Sequence, residues 1–295
     1  MLATYQGHSD NVFAVAWSPA GDVIASGGRD ATVQLWHPSA GRCLLTFRGH
    51  THCLLSLAWS PDARYIASGC TAGIVHVWEA QSGTILTTYR GHRRFVRCVA
   101  WSPDGRSIAS GGDYGDSTVQ VWEALSGRHI FTHSGQYRIF AVAWSPSHSH
   151  TCSRLAAASF DASVQIWNAM DGGDLFIYRG HTGPVYALSW SPDGLALASA
   201  GQAAQAHIWS PLTGSTSCIY RGHSRPIKAL AWSPDGHVIA SGGDDAVVHL
   251  WSPLTGELIT ASEPRAAWVR SLAWSPDSTY VAVASGKTVD VMHIP

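Results

Sequence analysis

One short motif recurs along the whole chain and constrains its fold more than any other feature. The triplet Trp-Ser-Pro occurs nine times, and seven of these copies stand at steps of 42, 42, 43, 46, 42 and 42 residues: Trp17, Trp59, Trp101, Trp144, Trp190, Trp232 and Trp274. A second tryptophan follows in six repeats, at Trp36, Trp78, Trp122, Trp167, Trp209 and Trp251, and Met292 takes its place in the seventh. Units of this length cannot bury their own apolar faces, so they must stack on one another.

Each repeat reads as a series of short β-strands separated by turn signals. The apolar runs are five to seven residues long and rich in Val, Ile, Leu and Trp, and no helical periodicity of useful length accompanies them. A glycine stands five residues after each second tryptophan, where a hairpin needs a positive φ angle: Gly41, Gly83, Gly127, Gly172, Gly214 and Gly256. Four short strands in each period of about 42 residues predict an all-β propeller.

Five repeats also carry a Gly-His pair ahead of the first strand: Gly7-His8, Gly49-His50, Gly91-His92, Gly180-His181 and Gly222-His223. Together with the tryptophan that closes each third strand, these pairs make the chain similar to the WD-repeat (β-transducin-like) family over essentially its whole length. The aspartate that usually follows that tryptophan is replaced here, by His37, Glu79, Glu123, Asn168, Ser210 and Ser252. The resemblance implies one seven-bladed propeller over residues 1–295, with four antiparallel strands in each blade.

The two ends of the chain predict how the ring closes. Residues 2–6 parallel the outer-strand sequences at 44–48 and 86–90, whereas residues 289–294 read as a third strand with no fourth after it. In the family that the chain resembles, each repeat supplies the outer strand of one blade and three strands of the next. We therefore expect residues 2–6 to complete the last blade, because unpaired sheet edges are unfavourable.

Serine, histidine and aspartate recur together in a pattern that looks like a hydrolase triad but predicts a structural network. The sets are His8, Ser26, Asp30 and Trp36; His92, Ser110, Asp116 and Trp122; and His223, Ser241, Asp245 and Trp251. The family resemblance implies that each set forms a buried hydrogen-bond network, and such networks are stabilising and unreactive when fully satisfied. The network is broken at Ala72, Gln136, Ala157, Ala203 and 262–265, so we expect those blades to be less stable.

The family resemblance also indicates a face for partner binding, the one that carries the Gly-His connectors and the turns between second and third strands. The side chains expected to bind a partner there are Phe13, Arg29, Phe95, Arg97, Arg138, Phe140, Phe160, Tyr186, Lys228, Trp268 and Arg270. Arg29 is the residue before the network aspartate Asp30, and by the same rule the third repeat has Gly115, before Asp116, at this position. Five cations stand against the single acid Asp244, and aromatic residues and arginine dominate binding hot spots. We expect a protein or peptide with acidic or aromatic groups.

Other functions fit the sequence less well. The innermost strands contain no Asp, Glu or His, which disfavours an enzyme in the channel. The aromatic and basic rim would suit single-stranded nucleic acid, but a formal net charge of −1 supplies no basic track. A sensor domain of a larger signalling protein stays open as an alternative.

Three candidate metal ligands, His148, His150 and Cys152, lie together without a fourth, so a solvated loop is the preferred interpretation.

Composition narrows the cellular setting. The chain begins with no basic stretch followed by a long apolar run, and no apolar run approaches the roughly 18 residues of a membrane span, so we expect no secretory signal and no membrane partner. Six cysteines without CxxC spacing predict reduced thiols in the cytoplasm. We expect a monomer that needs no cofactor and no metal.

Overall fold

The computed structural model describes residues 2–135, 137–146 and 154–294, and these form seven antiparallel sheets of four strands. The first four blades are β2–β5 (Val12–Trp17, Ile24–Gly28, Val33–Trp36, Cys43–Phe47), β6–β9 (Leu54–Trp59, Tyr65–Cys70, Val75–Glu79, Ile85–Tyr89), β10–β13 (Val96–Trp101, Ser107–Gly112, Thr118–Glu123, His129–Ser134) and β14–β17 (Ile139–Trp144, Arg154–Ser159, Val164–Asn168, Phe176–Tyr178). The last three are β18–β21 (Val185–Trp190, Leu197–Gly201, Ala206–Trp209, Thr216–Tyr220), β22–β25 (Ile227–Trp232, Ile239–Gly243, Val248–Trp251, Leu258–Ala261) and β26–β28 (Val269–Trp274, Tyr280–Ser285, Thr288–His293) with β1 (Ala3–Tyr5).

The first strand of each blade lies innermost and packs against the first strands of both neighbouring blades, so the seven sheets form a ring. The prediction of a seven-bladed propeller is therefore confirmed. The predicted closure is confirmed as well, because β1 pairs with β28 in the register Ala3 to Val291 and Tyr5 to Val289. Leu2 extends this pairing, since its backbone N–H donates to the Val291 carbonyl at 2.7 Å. No helix in the described part of the chain is long and apolar enough to cross a membrane.

Stacked aromatic rings join neighbouring blades. In six blades the tryptophan that closes the third strand is fully buried and lies flat against a ring on the outer strand of the preceding blade. The pairs, with centroid distances of 4.1 to 4.6 Å, are Tyr5–Trp36, Phe47–Trp78, Tyr89–Trp122, His133–Trp167, Tyr178–Trp209 and Tyr220–Trp251. Each aromatic pair adds about 0.5–1.5 kcal/mol beyond the burial of its area.

The seventh interface, between blade 6 and blade 7, uses an ion pair in place of a ring stack. Here Ser262 occupies the outer-strand position and Met292 replaces the tryptophan. Arg265 fills the space between them: its guanidinium donates to the Asp290 carboxylate and contacts the Met292 sulfur at 2.9 Å. Both charged side chains are largely buried, so each depends on the other for solvation.

Blade 4 lacks an acceptor that five other blades provide. In those blades the tryptophan Nε1 donates to a buried serine hydroxyl at 3.0 to 3.1 Å, as in Trp36 to Ser26 and Trp78 to Ser68. In blade 4 the serine position is Ala157, and Trp167 Nε1 is buried without a hydrogen-bond partner among the described residues. A buried donor without an acceptor costs stability.

The substitution Ala157→Ser should therefore stabilise the protein, by about 1 kcal/mol, because its hydroxyl would accept from Trp167 Nε1. Urea denaturation monitored by circular dichroism measures the change. Ala158→Ser is the matched control, since Ala158 is also fully buried but occupies the position that is glycine in blades 1 to 3. A control variant as stable as Ala157→Ser would contradict this explanation.

Candidate binding face

The three triad-like sets are interior hydrogen-bond networks. In blade 1, His8 Nδ1 lies 2.8 Å from Asp30 Oδ2, and His8 Nε2 lies 2.8 Å from Ser26 Oγ, which also accepts from Trp36 Nε1. The sets at His92, Ser110, Asp116 and Trp122 and at His223, Ser241, Asp245 and Trp251 repeat this arrangement. Ser26, Ser110 and Ser241 are fully buried, so none of these hydroxyls faces a substrate.

Three blades contain a second buried histidine that the sequence reasoning missed. It sits two residues before the third-strand tryptophan, where blades 1, 3 and 4 have Gln34, Gln120 and Gln165. The resulting ring pairs are His50–His76, His181–His207 and His223–His249, with centroids 4.7, 4.1 and 4.0 Å apart. The pattern His-x-Trp in the third strand was the available signal.

Burial sets the ionisation of these histidines. Burial, together with the neighbouring ring, lowers the pKa of His50 and of His181 to about 3 and that of His249 to about 4. Burial also lowers the pKa of His223, although the Asp245 carboxylate, which accepts a hydrogen bond from the ring, partly offsets this effect. Blades 2 and 5 offer no such carboxylate, because Ala72 and Ala203 stand there.

Only one group of described residues brings three potential metal ligands together: His223, Asp245 and His249, with ligand atoms within 4.8 Å of one another. Their geometry suits the network better than an ion. His223 Nδ1 and Nε2 are both engaged, with Asp245 and Ser241, and the two imidazole rings stack nearly parallel. Lone pairs lie in the ring plane, so two stacked rings do not converge on one ion. The group at His148, His150 and Cys152 lies outside the described residues.

The side chains expected to bind a partner lie around the mouth of the channel. The strand order puts the starts of the inner strands, the Gly-His connectors and the turns between second and third strands on one side of the disc, here called the Gly-His face. One residue from each inner strand lines a cavity of about 340 Å³ at its centre: Phe13, Leu55, Arg97, Phe140, Tyr186, Lys228 and Arg270. Phe95, Arg138 and Trp268 lie two residues earlier, beside Arg29 and Phe160 on the adjoining turns.

Asp113, which the sequence reasoning missed, forms ion pairs with two of the five rim cations. Its carboxylate lies 2.9 Å from Arg97 Nη2 and 3.0 Å from Arg138 Nε. Burial alone would raise its pKa, but the hydrogen bond from Arg97 and the charges of both arginines hold that pKa below its usual value. The backbone N–H of Asp113 donates to the Phe95 carbonyl, and in blade 1 the N–H of Arg29 donates to the Asn11 carbonyl in the same way. The counterpart of Arg29 in blade 3 is therefore Asp113, and the prediction of Gly115 was wrong.

The other three cations differ in how far they are neutralised. Lys228 Nζ lies 3.6 Å from an Asp244 oxygen, and burial, only partly offset by that carboxylate, lowers the lysine pKa. Arg29 lies 3.7 Å from Asp10, with both side chains well exposed. Arg270 forms no ion pair among the described residues. The expectation of five cations against one acid was therefore wrong, because Asp10 and Asp113 also lie on this face.

Aromatic rings on the Gly-His face are already covered by cations. Lys228 Nζ lies 3.7 Å from the centroid of the Tyr186 ring, and the Arg97 guanidinium lies 5.2 Å from that of Phe140. Phe140 in turn packs edge-on against Tyr186, at 4.8 Å. Such contacts stabilise the rim but leave fewer free ring faces for a ligand.

A larger cavity lies off centre, where blades 6, 7 and 1 meet. It has a volume of about 650 Å³, and its lining includes Arg225, Trp268 and Arg270. Trp268 is 50% exposed, and the Arg270 guanidinium lies 4.7 Å from its ring centroid. Neither arginine has a carboxylate partner among the described residues, so this corner combines a half-exposed indole, with Arg270 over one part of its ring, and two positive charges that no carboxylate neutralises.

Charge is distributed unevenly between the two sides of the disc. Every Lys, Arg, Asp and Glu lies in the described part of the chain. Only five of the 19 cations lie at the ends of strands on the opposite face: Arg42, Arg64, Arg106, Arg128 and Arg154. Nine of the 20 acids lie on the Gly-His face: Asp10, Asp30, Asp113, Asp116, Asp161, Asp244, Asp245, Glu263 and Asp290. The Gly-His face therefore carries a formal charge of +5 and the opposite face −6.

Comparison with known proteins agrees with the repeat pattern. The family model "WD domain, G-beta repeat" matches residues 1–37, 41–79, 83–123, 127–168, 172–210, 214–252 and 257–291. Over 40 residues the chain is 48% identical to the Periodic tryptophan protein 2 homolog of Dictyostelium discoideum and 50% identical to the Transcriptional corepressor LEUNIG_HOMOLOG of Arabidopsis thaliana. Each match covers 14% of this chain and only 4% or 5% of the relative, which is about the length of one repeat.

The buried histidine pairs should make folding sensitive to mild acid. Their folded-state pKa values lie below the unfolded value of 6.5, so the unfolded chain binds more protons, and stability is lost as the pH falls below about 6.5. From about pH 7.5 to about pH 5, His50 and His181 should each remove roughly 2 kcal/mol. Urea denaturation at both pH values measures the loss.

The chain itself suggests the control for this pH dependence. The triple variant His76→Gln, His207→Gln and His249→Gln introduces the residue found in blades 1, 3 and 4. It should lose less stability in acid than the unmodified protein, because it removes three histidines whose pKa values burial lowers, and in blades 2 and 5 it also removes the ring that lowers the pKa of the remaining histidine. An equal loss in both proteins would contradict the role given to the pairs.

Proposed function

The chain belongs to the WD-repeat family, whose propellers typically bind proteins, and on this premise we propose that it is a non-catalytic scaffold that holds a partner on its Gly-His face. The partner segment is a protein or peptide stretch that bears acidic groups together with aromatic or other apolar side chains. The observation that carries this proposal is the +5 formal charge of that face in a protein whose net charge is −1.

Electrostatics supports an acidic partner in two ways. A face of one sign attracts an oppositely charged segment before contact and raises the association rate. Arginine then forms charge-assisted, often bidentate hydrogen bonds with carboxylates. Three of the nine acids on this face, Asp30, Asp116 and Asp245, belong to the interior networks and are engaged by histidine, so they compete little with a partner.

The corner around Trp268 is the best-supported anchor point. Arg97 and Arg138 are bound by Asp113, and Lys228 is held between Asp244 and the Tyr186 ring, so a partner would have to displace these contacts. Arg225 and Arg270 have no carboxylate to exchange, although Arg270 lies over the Trp268 ring. An exposed indole next to two unpaired arginines can bury an apolar side chain and bind a carboxylate in the same cavity, which is the usual make-up of a hot spot.

A catalytic role is less consistent with these observations. The inner strands that line the channel contain no Asp, Glu or His, and the triad-like hydroxyls are buried inside blades. Catalysis needs a nucleophile and a base that face a space where substrate can sit. A role as the sensor domain of a larger signalling protein is compatible with the same binding face, and the binding test below applies to it equally.

The proposal is tested with the double variant Arg225→Glu and Arg270→Glu. Affinity purification from an extract of the source organism should recover the principal partner in an amount reduced tenfold or more, because two attractive contacts become repulsive. Arg42→Glu with Arg106→Glu is the matched control, since it makes the same charge change at exposed positions on the opposite face. It should leave recovery unchanged.

Two results would contradict the proposal. One is an unchanged set of partners with the double variant, which would remove the Gly-His face from consideration. The other is a partner that proves to be nucleic acid, shown by nuclease sensitivity and by binding that falls steeply with salt concentration.

A further inference from the structure

The opposite face of the disc also has features of a docking surface, with the reverse chemistry. It carries eleven carboxylates, on the turns between first and second strands and between third and fourth strands: Asp22, Asp62, Glu79, Asp104, Glu123, Asp171, Asp174, Asp193, Asp235, Glu257 and Asp277. Only five cations share this face, and Arg128 is already bound by Glu123. The surface is therefore attractive to a positively charged segment.

An apolar groove of about 520 Å³ opens on this face between blades 1 and 2. Its apolar lining comes from both blades: Val23, Leu35, Leu44, Leu45, Trp59 and Ala80. Leu44 is 45% exposed, and Trp59 is only partly buried, whereas the corresponding Trp101 and Trp144 are 8% exposed. The groove thus reaches from solvent to the apolar cluster that joins the two blades.

The side chain at position 45 controls how far this groove is filled. Leu45 on β5 packs toward Gly83 in the next blade. Its Cδ1 lies 3.6 Å from the position that a Cβ would take on that glycine. In blades 3 and 4 the corresponding residues are Phe131 and Phe176, which lie against Gly172 and Gly214. Their ring atoms come within 2.3 and 2.7 Å of the positions that a Cβ would take on these glycines. The larger rings occupy space that Leu45 leaves open, so a phenylalanine at this position would fill part of the groove. Thr87, Cys218, Thr260 and Ala3 are smaller at the same position, so the groove between blades 1 and 2 depends on its whole lining and not on Leu45 alone.

Acidic side chains flank the groove. Asp22 lines it from blade 1 and Glu79 from blade 2, and each is held by one hydroxyl, from Ser18 and Ser82 respectively. One lining cation, Arg64, lies with its guanidinium 5.2 Å from the Tyr65 ring centroid. Each carboxylate keeps acceptor capacity for a further donor, because one hydroxyl does not saturate two oxygens.

We propose that this groove is a second docking site, which binds a basic segment of a partner protein and accepts one apolar side chain of that segment between blades 1 and 2. Lysine or arginine residues next to the inserted side chain would lie against Asp22 and Glu79. The site is independent of the Gly-His face, since six-residue strands separate the two faces by roughly 20 Å. Two oppositely charged faces would allow one propeller to hold an acidic and a basic partner together.

The experiment uses the full chain and short fluorescein-labelled peptides, rich in lysine, that carry one central Leu, Phe or Trp. Fluorescence anisotropy at low salt should show saturable binding, and the matched peptide with a central Ala should bind about tenfold more weakly, because it buries no apolar side chain. Asp22→Asn with Glu79→Gln should weaken binding and reduce its salt dependence.

The decisive variant is Leu45→Phe, which places in blade 1 the residue that blades 3 and 4 already use, so the propeller is expected to fold. It should lower the affinity for the Leu, Phe and Trp peptides to that of the Ala peptide. Arg225→Glu and Arg270→Glu should leave binding at this groove unchanged, because neither residue lines it.

Three results would overturn this proposal. The first is that Leu45→Phe binds the peptides as tightly as the unmodified chain, which would show that only diffuse charge attracts them. The second is no saturable binding by any peptide of the set. The third is concentration-dependent self-association of the unmodified chain in sedimentation that Leu45→Phe abolishes, which would make the occupant a second copy of this chain.

Discussion

A four-stranded sheet with two apolar faces cannot be stable alone, and the whole structure depends on covering both faces of every sheet. A ring achieves this without end caps, since each blade is covered by its two neighbours. The ring closes where β1, from the first residues of the chain, pairs with β28 from the last, and where the inner strand β2 packs against blade 7. Tyr5 then stacks on Trp36, so the strand that completes blade 7 also provides the aromatic contact to blade 1. This single pairing supplies both an inter-strand ladder and an inter-blade interface.

Because the repeat fixes the scaffold, function is to be sought where blades depart from the repeat. The triad-like networks recur and are interior, whereas Trp268, Arg270 and Arg225 form a corner that the repeat does not require. The position of Leu45 is also variable between blades, and Leu45 leaves open space that the rings of Phe131 and Phe176 occupy in blades 3 and 4. The formal charge follows the same logic: a net charge of −1 is the difference between a basic and an acidic face of similar magnitude.

Much of the fold could be predicted from sequence, because strand number, blade number and closure follow from a period that is repeated seven times. The binding face was harder to predict. Asp113 was missed because the turn of blade 3 has two extra residues, so the residue before Asp116 is not the counterpart of Arg29. The first residue after Gly111-Gly112 is that counterpart, and counting from this glycine pair would have identified it. The ion pairs of Arg97 and Lys228 join an inner strand to the second turn of the same blade, and that of Arg138 reaches Asp113 in the preceding blade, so all three depend on which side chains the fold brings together. The groove at Leu45 likewise depends on how much space the side chains of blades 1 and 2 leave between the two sheets.

The most direct test of ring closure is thermal melting of a chain that lacks residues 1–6, with and without a synthetic peptide of residues 1–8 added in trans. Loss of β1 exposes the edge of β28 and one face of Trp36, so we expect the melting temperature to fall by roughly 10 °C and the peptide to restore most of that loss. An unchanged melting temperature in the shortened chain would contradict closure by β1, and with it the account of both faces that the closed ring presents.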